Sequence, residues 1–339
     1  MKIEKLRQIA AAIMKLHEMI RESVVGACEK SGPEKLSKVA HDGAGDTIYA
    51  IDRVSEELIV DFFKTEIVHI APVILVAEGI SENGNVVLPE GAEEKDAEFI
   101  VIIDPIDGTR EIMYQKRSAW VLTGIAPNRG EHTTLQDIRF AVQTEIPTVK
   151  QHLSDTVYAF RGEGITARRY NRLSGEYRPI HLRPSSEKSI RHGFAMISRF
   201  FNGARDILAR IDEEIIGGII GPGESGKAIC FEDQYLSTGG QIHELVSGHY
   251  RFVADLRPLL GDILIERGLN RGLCCHPYDL CTELIARETG AIITDERGGP
   301  VQALLNVTEN VSWVGYANND IQKLIAPHLA GALKKYRLI

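Results

Sequence analysis

Residues 101–112, VIIDPIDGTREI, are an apolar run that ends in two aspartates three positions apart. The residue before a proline is restricted to extended geometry, so Asp104 should close a strand and Pro105 should end its backbone pairing. Asp107 should then lie near Asp104. Two adjacent carboxylates stay ionised only if a positive charge lies between them, and a hard divalent cation with oxygen ligands suits this pair best.

The residues that follow suit the binding of an anion. Gly108 allows the backbone to approach a ligand closely, and a helix that begins there would present free N–H groups to a phosphate. One loop would then bind both a metal ion and a phosphate. The simpler alternative is that Asp104 and Asp107 cap a helix, which is the more common role of aspartate near proline and glycine.

The string DPIDGT resembles the signature of the inositol monophosphatase family. That family belongs with fructose-1,6-bisphosphatase and 3′-phosphoadenosine 5′-phosphate phosphatase in a magnesium-dependent, lithium-sensitive superfamily. Three other segments resemble family motifs, in the family's order. They are GDTIYAIDRVSEELI, which contains Asp46 and Asp52, VILVAEG, which supplies Glu78, and HPYDLCTELIARETGAIITD, which supplies Asp279.

The resemblance implies a two-metal site. It assigns Glu78, Asp104 and the main-chain carbonyl of Ile106 to a first Mg²⁺, and Asp104, Asp107 and Asp279 to a second, with two or three ions in all. In phosphate-ester hydrolysis, one such ion activates water and the other stabilises the leaving oxygen.

The resemblance also implies catalytic and phosphate-binding residues. Thr109 would orient the attacking water, and Asp52 would accept the hydrogen bond of the Thr109 hydroxyl. Glu78 would act in catalysis through its metal ion. The backbone N–H groups of Gly108 and Thr109 would bind the phosphate. Asp46 fits a turn or a helix cap at least as well as a catalytic role.

The sequence departs from the family pattern where a substrate would lie. Gly79 replaces the second acidic residue of the family's Gly-Glu-Glu, and Gly272 replaces the glutamate that contacts inositol hydroxyls. Arg110 and Glu111 follow DGT as a charged pair, either at the pocket mouth or as a surface ion pair. Arg199, in a segment that resembles phosphoadenosine phosphatases, is a candidate ligand for a second phosphate, with a structural arginine as the alternative.

Composition narrows the class of protein. The 339 residues include 47 acidic and 39 basic side chains, with a formal net charge of −8, so no nucleic-acid polymer is expected as a partner. No apolar run reaches the roughly 18 residues of a membrane-spanning helix, so no membrane partner is expected. Five cysteines without a regular framework indicate reduced thiols in a cytoplasmic protein, and CCHPYDLC lacks the paired spacing of a zinc site.

The pattern of apolar residues predicts two halves that meet near residue 183. Residues 1–183 read as an α+β domain, with an amphipathic N-terminal helix and an antiparallel-rich sheet that carries the metal and phosphate loop. Residues 184–339 read as an α/β domain that supplies Asp279 and substrate contacts. Its helices alternate with shorter strands in SEKSIRHGFAMISRF, GARDILARIDEEII, TGGQIHELVSGH and YDLCTELIARETGA. The fold class is therefore α/β, and the resemblance implies a layered α-β-α-β-α sandwich of the sugar-phosphatase type.

Residues 221–228, GPGESGKA, match the G-x-x-x-x-G-K pattern of a nucleotide-binding P-loop. Ala228 stands where a P-loop has the Ser or Thr that binds Mg²⁺, and a P-loop normally follows the first strand of its sheet. A flexible Gly-rich loop is the favoured interpretation.

The sequence therefore predicts an enzyme, a phosphoric monoester hydrolase that uses Mg²⁺ to hydrolyse a small inositol, sugar or polyol phosphate. One alternative is a phosphatase of 3′-phosphoadenosine 5′-phosphate or fructose 1,6-bisphosphate. Another is a non-catalytic regulatory protein that binds phosphate and metal. The family resemblance also implies a homodimer and sensitivity to lithium.

Overall fold

Ten α-helices and fourteen β-strands lie within the residues that the computed structural model describes, which are 2–37, 39–42, 47–49, 51, 53–81, 83–222 and 226–339. The helices are α1 (Lys2–Lys30), α2 (Pro33–Leu36), α3 (Arg53–Phe62), α4 (Thr109–Met113), α5 (Arg205–Ile220), α6 (Thr238–Val246), α7 (Gly261–Glu266), α8 (Pro277–Leu280), α9 (Glu283–Thr289) and α10 (Asn319–Lys335). The strands are β1 (Val39–Asp42), β2 (Thr47–Tyr49), β3 (Val73–Val76), β4 (Asn85–Leu88), β5 (Phe99–Asp107), β6 (Ala119–Pro127), β7 (Phe140–Ile146), β8 (Leu153–Phe160), β9 (Ile165–Asn171), β10 (Glu176–Pro179), β11 (Phe194–Ile197), β12 (Tyr250–Asp255), β13 (Ile292–Thr294) and β14 (Trp313–Tyr316).

An eight-stranded sheet dominates the first half of the chain. Its strand order is β10-β9-β8-β7-β6-β5-β3-β4, and every neighbouring pair is antiparallel except β3 and β5. The antiparallel-rich sheet predicted from the sequence is therefore confirmed.

The strand that leads to the predicted metal loop is buried on both faces. In β5, Phe99, Val101 and Ile103 face one hydrophobic core, while Ile100 and Ile102 face another. A strand covered on both faces carries a continuous apolar run instead of an alternating one. This is why the segment before DPIDGT shows no polar alternation.

The end of β5 differs from the prediction. The sequence predicted that Asp104 closes the strand, but pairing with β6 resumes at Asp107, which lies opposite Trp120. A register irregularity between the two aspartates accommodates Pro105, which has no N–H to donate to the ladder. The chain therefore bulges here instead of leaving the sheet.

Helix α1 covers one face of the large sheet and confirms the predicted amphipathic helix. It packs beside α3 and against β6 and β7. The apolar residues that the sequence placed at helical spacing are all buried, namely Leu6, Ile9, Ile13, Leu16 and Ile20.

A four-stranded sheet, in the order β11-β12-β14-β13, forms the second half. The sequence predicted helices alternating with strands in four segments of this half. Three of these segments contain helices, namely α5, α6 and α8–α9. The first, residues 186–200, contains strand β11 and no helix. His192 has a φ of 59° beside Gly193, which interrupts any helix, and the apolar run after them pairs in parallel with β12.

The sheets and helices stack in five layers. Helices α1 and α3 cover the outer face of the large sheet, α6, α8 and α9 lie between the two sheets, and α5 and α10 cover the small sheet. The predicted α-β-α-β-α sandwich is confirmed. Because the middle core combines residues from both halves, the boundary near residue 183 stays a prediction.

The Gly-rich segment 221–228 follows helix α5 instead of a strand. Gly221 is the C-cap of that helix, and residues 223–225 lie outside the described residues. A P-loop joins a strand to the helix after it, so this position favours the predicted Gly-rich loop. In the described part of the chain, no helix is both long and apolar enough to cross a membrane.

His17 of helix α1 is fully buried, with its ring nitrogens 3.1 Å from the Thr144 hydroxyl and 2.8 Å from the Thr123 hydroxyl. Burial, assisted by the Arg21 guanidinium, lowers the pKa of His17 from 6.5 to about 3. Below pH 6.5 the unfolded chain therefore binds a proton that the folded chain does not. We predict that His17 lowers the free energy of unfolding by about 2 to 3 kcal/mol between about pH 6.5 and pH 4.5.

Denaturant unfolding across this pH range measures the effect. His17→Gln removes the titrating ring and should flatten this part of the pH profile, although it costs stability at neutral pH because two buried hydroxyls lose their partner. The matched control His132→Gln, at an exposed position, should keep the wild-type slope. Equal slopes for wild type and His17→Gln would contradict the prediction.

Candidate metal and phosphate site

Three carboxylates from distant parts of the chain converge on one point. One oxygen of each of Asp104, Asp107 and Asp279 lies within 4.8 Å of the others. The first two come from the irregular end of β5, and the third comes from helix α8. The structure thus brings together the three residues that the sequence assigned to the second Mg²⁺.

Parallel pairing brings a fourth carboxylate to the same place. Val76 of β3 lies opposite Ile102 of β5, so Glu78 and Asp104, each two residues further on, lie at the same level of the sheet. The Tyr278 hydroxyl donates to Glu78 Oε2 over 3.3 Å. Glu78, Asp104, Ile106, Asp107 and Asp279 all line the same cavity.

Helix α8 holds Asp279 through a reciprocal cap. The His276 N–H donates to Asp279 Oδ2 over 2.6 Å, the His276 side chain accepts from the Asp279 N–H, and Pro277 occupies the first turn. Such a cap fixes both the start of the helix and the direction of the carboxylate. The rings of His276 and Tyr278 stack with centroids 5.3 Å apart along the cavity wall.

Asp107 is held by the start of helix α6. Its Oδ2 accepts from the Ser237 hydroxyl over 2.7 Å and from the Gly239 N–H over 2.6 Å, and its Oδ1 accepts from the Thr238 N–H over 3.2 Å. Asp107 therefore accepts hydrogen bonds at the start of a helix 130 positions away, whereas the adjacent helix α4 begins at Gly108 without a side-chain cap. Ser237 was not among the site residues predicted from the sequence, although a serine before the run TGG is a recognisable N-cap.

Burial and like charge disfavour ionisation of this cluster. Burial, together with Asp107 and Asp279, raises the pKa of Asp104 well above its usual range. Burial and Asp279 raise the pKa of Asp107 to about 7, while the bonds from Ser237 and the α6 N–H groups oppose the rise. Carboxylate oxygens are ligands that a hard divalent cation prefers, so the donor set fits Mg²⁺.

The loop after β5 turns on Gly108, whose φ is 94°. A Cβ at this position would also approach the Ser237 Cβ to 3.1 Å and the Leu236 carbonyl oxygen to 3.4 Å, so both conformation and space require glycine. The Thr109 hydroxyl donates to the Ile106 carbonyl over 2.8 Å. The predicted bond from Thr109 to Asp52 lies outside the described residues, as do Asp52 and Asp46 themselves.

The cavity has a volume of about 120 Å³ and opens to solvent. Besides the carboxylates and Ile106, it is lined by Ile103, Pro105, Gly108, Thr109, Arg110, Phe200, Phe201, Leu236, Ser237, Thr238, Arg257, Leu273, Cys274, His276 and Tyr278. Seven residues that the sequence assigned to metal, phosphate or catalysis therefore share one cavity, namely Glu78, Asp104, Ile106, Asp107, Gly108, Thr109 and Asp279.

Arg199 lies outside this lining. Its guanidinium pairs with Asp212 over 3.3 Å and also with Glu232, and its N–H donates to the Gln234 side chain. Its role as a ligand for a second phosphate stays a prediction.

The charged pair after DGT separates in the structure. Arg110 lines the cavity, with its guanidinium 5.5 Å from the centroid of the Phe201 ring. Glu111 turns inward, is 2% exposed and lies 3.8 Å from the Lys116 ammonium. Neither a pair at the pocket mouth nor a surface ion pair describes them, because α4 points adjacent side chains in different directions.

No protein-family model matches the sequence, and no curated protein sequence matches it. Solved structures do match over nearly the whole chain. Fructose-1,6-bisphosphatase of Leishmania major has a TM-score of 0.65 at 14% identity, over 96% of this chain and 94% of that one. The MJ0109 gene product, an inositol monophosphatase–fructose 1,6-bisphosphatase, has a TM-score of 0.59 at 17% identity, over 92% and 98%. The IMPase of Thermotoga maritima has a TM-score of 0.59 at 15% identity, over 95% and 96%.

These matches define the class of fold. The chain has the layered sandwich of the inositol monophosphatase and fructose-1,6-bisphosphatase structures, which confirms the fold that the sequence motifs implied. The carboxylate cluster lies where the strand β5 and helices of the middle layer meet. At identities of 14 to 17% the likeness concerns the fold and not the activity.

We predict that Asp104→Asn raises the free energy of unfolding by about 1 to 2 kcal/mol in EDTA at about pH 8, because it removes a carboxyl whose ionisation is opposed by burial and by Asp107 and Asp279. Added Mg²⁺ should stabilise the wild type but hardly change the variant. Thermal unfolding with and without Mg²⁺ measures both effects.

Asp137→Asn is the matched control. Asp137 is also buried, but it accepts from the Thr134 N–H and pairs with Arg129 over 2.9 Å, so its replacement should lower stability. Destabilisation of the EDTA-treated protein by both substitutions would show that repulsion does not dominate at Asp104.

Proposed function

We propose that this protein is a Mg²⁺-dependent phosphomonoesterase. The observation that carries the proposal is the convergence of Asp104, Asp107 and Asp279 on a cavity that Glu78 and Thr109 also line. A protein that only needed a stable core would not crowd buried carboxylates, because unpaired charges are costly there. The fold, shared with proteins described as phosphatases, supports the same reaction.

Two or three Mg²⁺ ions are proposed as the cofactor. Glu78, Asp104 and the Ile106 carbonyl would hold one ion, and Asp104, Asp107 and Asp279 would hold another. When bound, such ions activate water and stabilise the leaving oxygen of a phosphate ester. We also propose that Li⁺ competes with Mg²⁺ for the position that Asp104, Asp107 and Asp279 would form.

The protein's own groups would orient the reacting atoms. Ser237 and the first N–H groups of α6 hold the Asp107 carboxylate in one direction, and the His276 cap does the same for Asp279. The Thr109 hydroxyl would position the attacking water, with Asp52 as its acceptor. Backbone N–H groups of Gly108 and Thr109 would bind the phosphate.

The proposed substrate is a small inositol, sugar or polyol phosphate. Fructose-1,6-bisphosphatase among the similar structures keeps a bisphosphate as the second candidate. Pairing of Arg199 with Asp212 and Glu232 weighs against Arg199 as the ligand of that second phosphate, whereas Arg110 lines the cavity. A homodimer is proposed on the family resemblance, and a cytoplasmic location on the unframed cysteines. The absence of nucleic-acid and membrane partners is proposed on the net charge of −8 and on the lack of a long apolar run.

The proposal predicts phosphate release from small phosphomonoesters in Mg²⁺ and none in EDTA. Asp104→Asn should lose far more than tenfold of this activity, which corresponds to more than about 1.4 kcal/mol of transition-state stabilisation. A panel assay with released phosphate as the readout measures both. A folded, Mg²⁺-stabilised protein that releases no phosphate from any ester would favour the non-catalytic binding protein instead.

A second prediction separates proton transfer from metal binding. Thr109→Ala should lower kcat by about 10² to 10⁴ while Mg²⁺ affinity, measured by calorimetry, changes little. Asp52→Asn should act through the same hydrogen bond, so the double variant should lose little more than the worse single variant. Multiplicative losses would mean that the two residues act independently.

A further inference from the structure

The four carboxylates of the cavity are held in different ways. Each of the three aspartates accepts a hydrogen bond from a backbone N–H, and for Asp104 the donor is Ile106, over 3.0 Å. Glu78 lies in the turn after β3, and its side chain has one more rotatable bond than aspartate. A longer side chain loses more conformational entropy when it is fixed. Glu78 therefore depends more than the aspartates on a rigid partner for its carboxylate.

Tyr278 supplies such a partner from the core between the two sheets. Its hydroxyl donates to Glu78 Oε2 over 3.3 Å, although the two residues are 200 positions apart in the chain. Tyr278 is 6% exposed and packs within the middle core. Because a tyrosine ring has few rotamers, packing around the ring also fixes the direction of its hydroxyl.

The His276 ring supports Tyr278 from the cavity wall. The two rings stack with their planes 8° apart, and His276 Nδ1 lies 3.3 Å from the Tyr278 hydroxyl. The same histidine caps helix α8, where its backbone N–H donates to Asp279. Residues 276–279 thus supply a ligand of one proposed ion position and the hydroxyl that contacts a ligand of the other.

We infer that Tyr278 is a positioning residue, which fixes the Glu78 carboxylate for the ion proposed between Glu78, Asp104 and the Ile106 carbonyl. The inference rests on the proposed metal-dependent function and adds to it a residue that was not among the site residues predicted from the sequence. Without the hydroxyl, Glu78 keeps its charge but samples more conformations. Removal of a hydrogen bond that orients a metal ligand typically lowers metal affinity by about 10- to 100-fold.

Mg²⁺ binding by the variant Tyr278→Phe tests the inference without substrate. The substitution removes the hydroxyl and keeps the ring, its packing and its stack on His276. In calorimetric titration of the metal-free full chain, the variant should bind one Mg²⁺ at least about tenfold more weakly than the wild type and another with little change. Wild-type affinity at every position, or an equal loss at all of them, would overturn the inference.

Tyr250→Phe is the matched control. Tyr250 is also a buried tyrosine, its hydroxyl donates to the Asp233 carboxylate over 2.6 Å, and it lies outside the cavity lining. Its loss should lower the free energy of unfolding but leave Mg²⁺ affinity at the wild-type value. If both substitutions weaken Mg²⁺ binding to the same extent, the effect is not specific to Tyr278 and the inference is wrong.

The Mg²⁺ dependence of turnover distinguishes positioning from a general loss of structure. Tyr278→Phe should need at least about tenfold more Mg²⁺ for half-maximal phosphate release, and saturating Mg²⁺ should restore most of kcat. Saturating Mg²⁺ should not rescue Thr109→Ala, because that hydroxyl is proposed to orient water and not an ion. A low kcat that Mg²⁺ does not restore in folded Tyr278→Phe would contradict the positioning role.

Binding and turnover together separate this inference from the proposed function. Weaker Mg²⁺ binding by Tyr278→Phe than by the wild type, without phosphate release by either protein, would support the role of Tyr278 and refute the phosphatase. Mg²⁺-dependent phosphate release by both proteins, with equal Mg²⁺ affinities, would refute only the role of Tyr278.

Discussion

Repulsion among buried carboxylates is the constraint on which this site and the elements around it depend. Asp104, Asp107 and Asp279 each bring one oxygen within 4.8 Å of the others, with Asp107 buried and Asp279 partly exposed in the cavity. Each is held by a different device: the bulge at the end of β5, the first N–H groups of α6, and the cap of α8. Carboxylates stay this close together only where the surrounding structure holds them in position. The geometry of the site therefore depends on the stability of the whole sandwich.

The middle layer of the sandwich couples the two halves. Helices α6 and α8 belong to the second half of the chain, yet they pack against β5 and β6 of the large sheet and supply partners to its carboxylates. Gly239 shows how close this packing is, since a Cβ there would meet a Leu122 methyl at 2.4 Å. A loosened contact between the sheets would therefore disturb the carboxylates before it unfolded either half.

The two walls of the cavity have different chemistry for a physical reason. On the carboxylate side, backbone N–H groups and hydroxyls orient negative charge toward one point. On the opposite side, the Asp255 carboxylate neutralises Arg257, and the guanidinium plane packs on aromatic rings. A cation that is fully paired contributes shape more than charge. The cavity therefore combines a carboxylate cluster with a wall on which a paired guanidinium packs against two aromatic rings.

Local features of this protein followed from its sequence. Three features could be predicted from neighbouring residues, namely the apolar run before DPIDGT, the turn at Gly108 and the buried face of α1. Each depends on local backbone geometry or on the periodicity of apolar residues along one element. The layered fold and the grouping of Asp104, Asp107 and Asp279 were predicted from a resemblance to family motifs. The spacing of these residues in the sequence does not by itself predict that they meet.

Only the tertiary structure decided the remaining features. Residues 194–197, within the segment 186–200, became strand β11 because β12 offered a parallel partner. Arg199 paired with Asp212 and Glu232, and Ser237 reached Asp107 across 130 positions. A small cavity beside Phe201 lies between α5, α7 and the loop at Leu273. Such contacts join residues far apart in the chain, so they are determined by how the layers pack and not by the residues next to them in sequence.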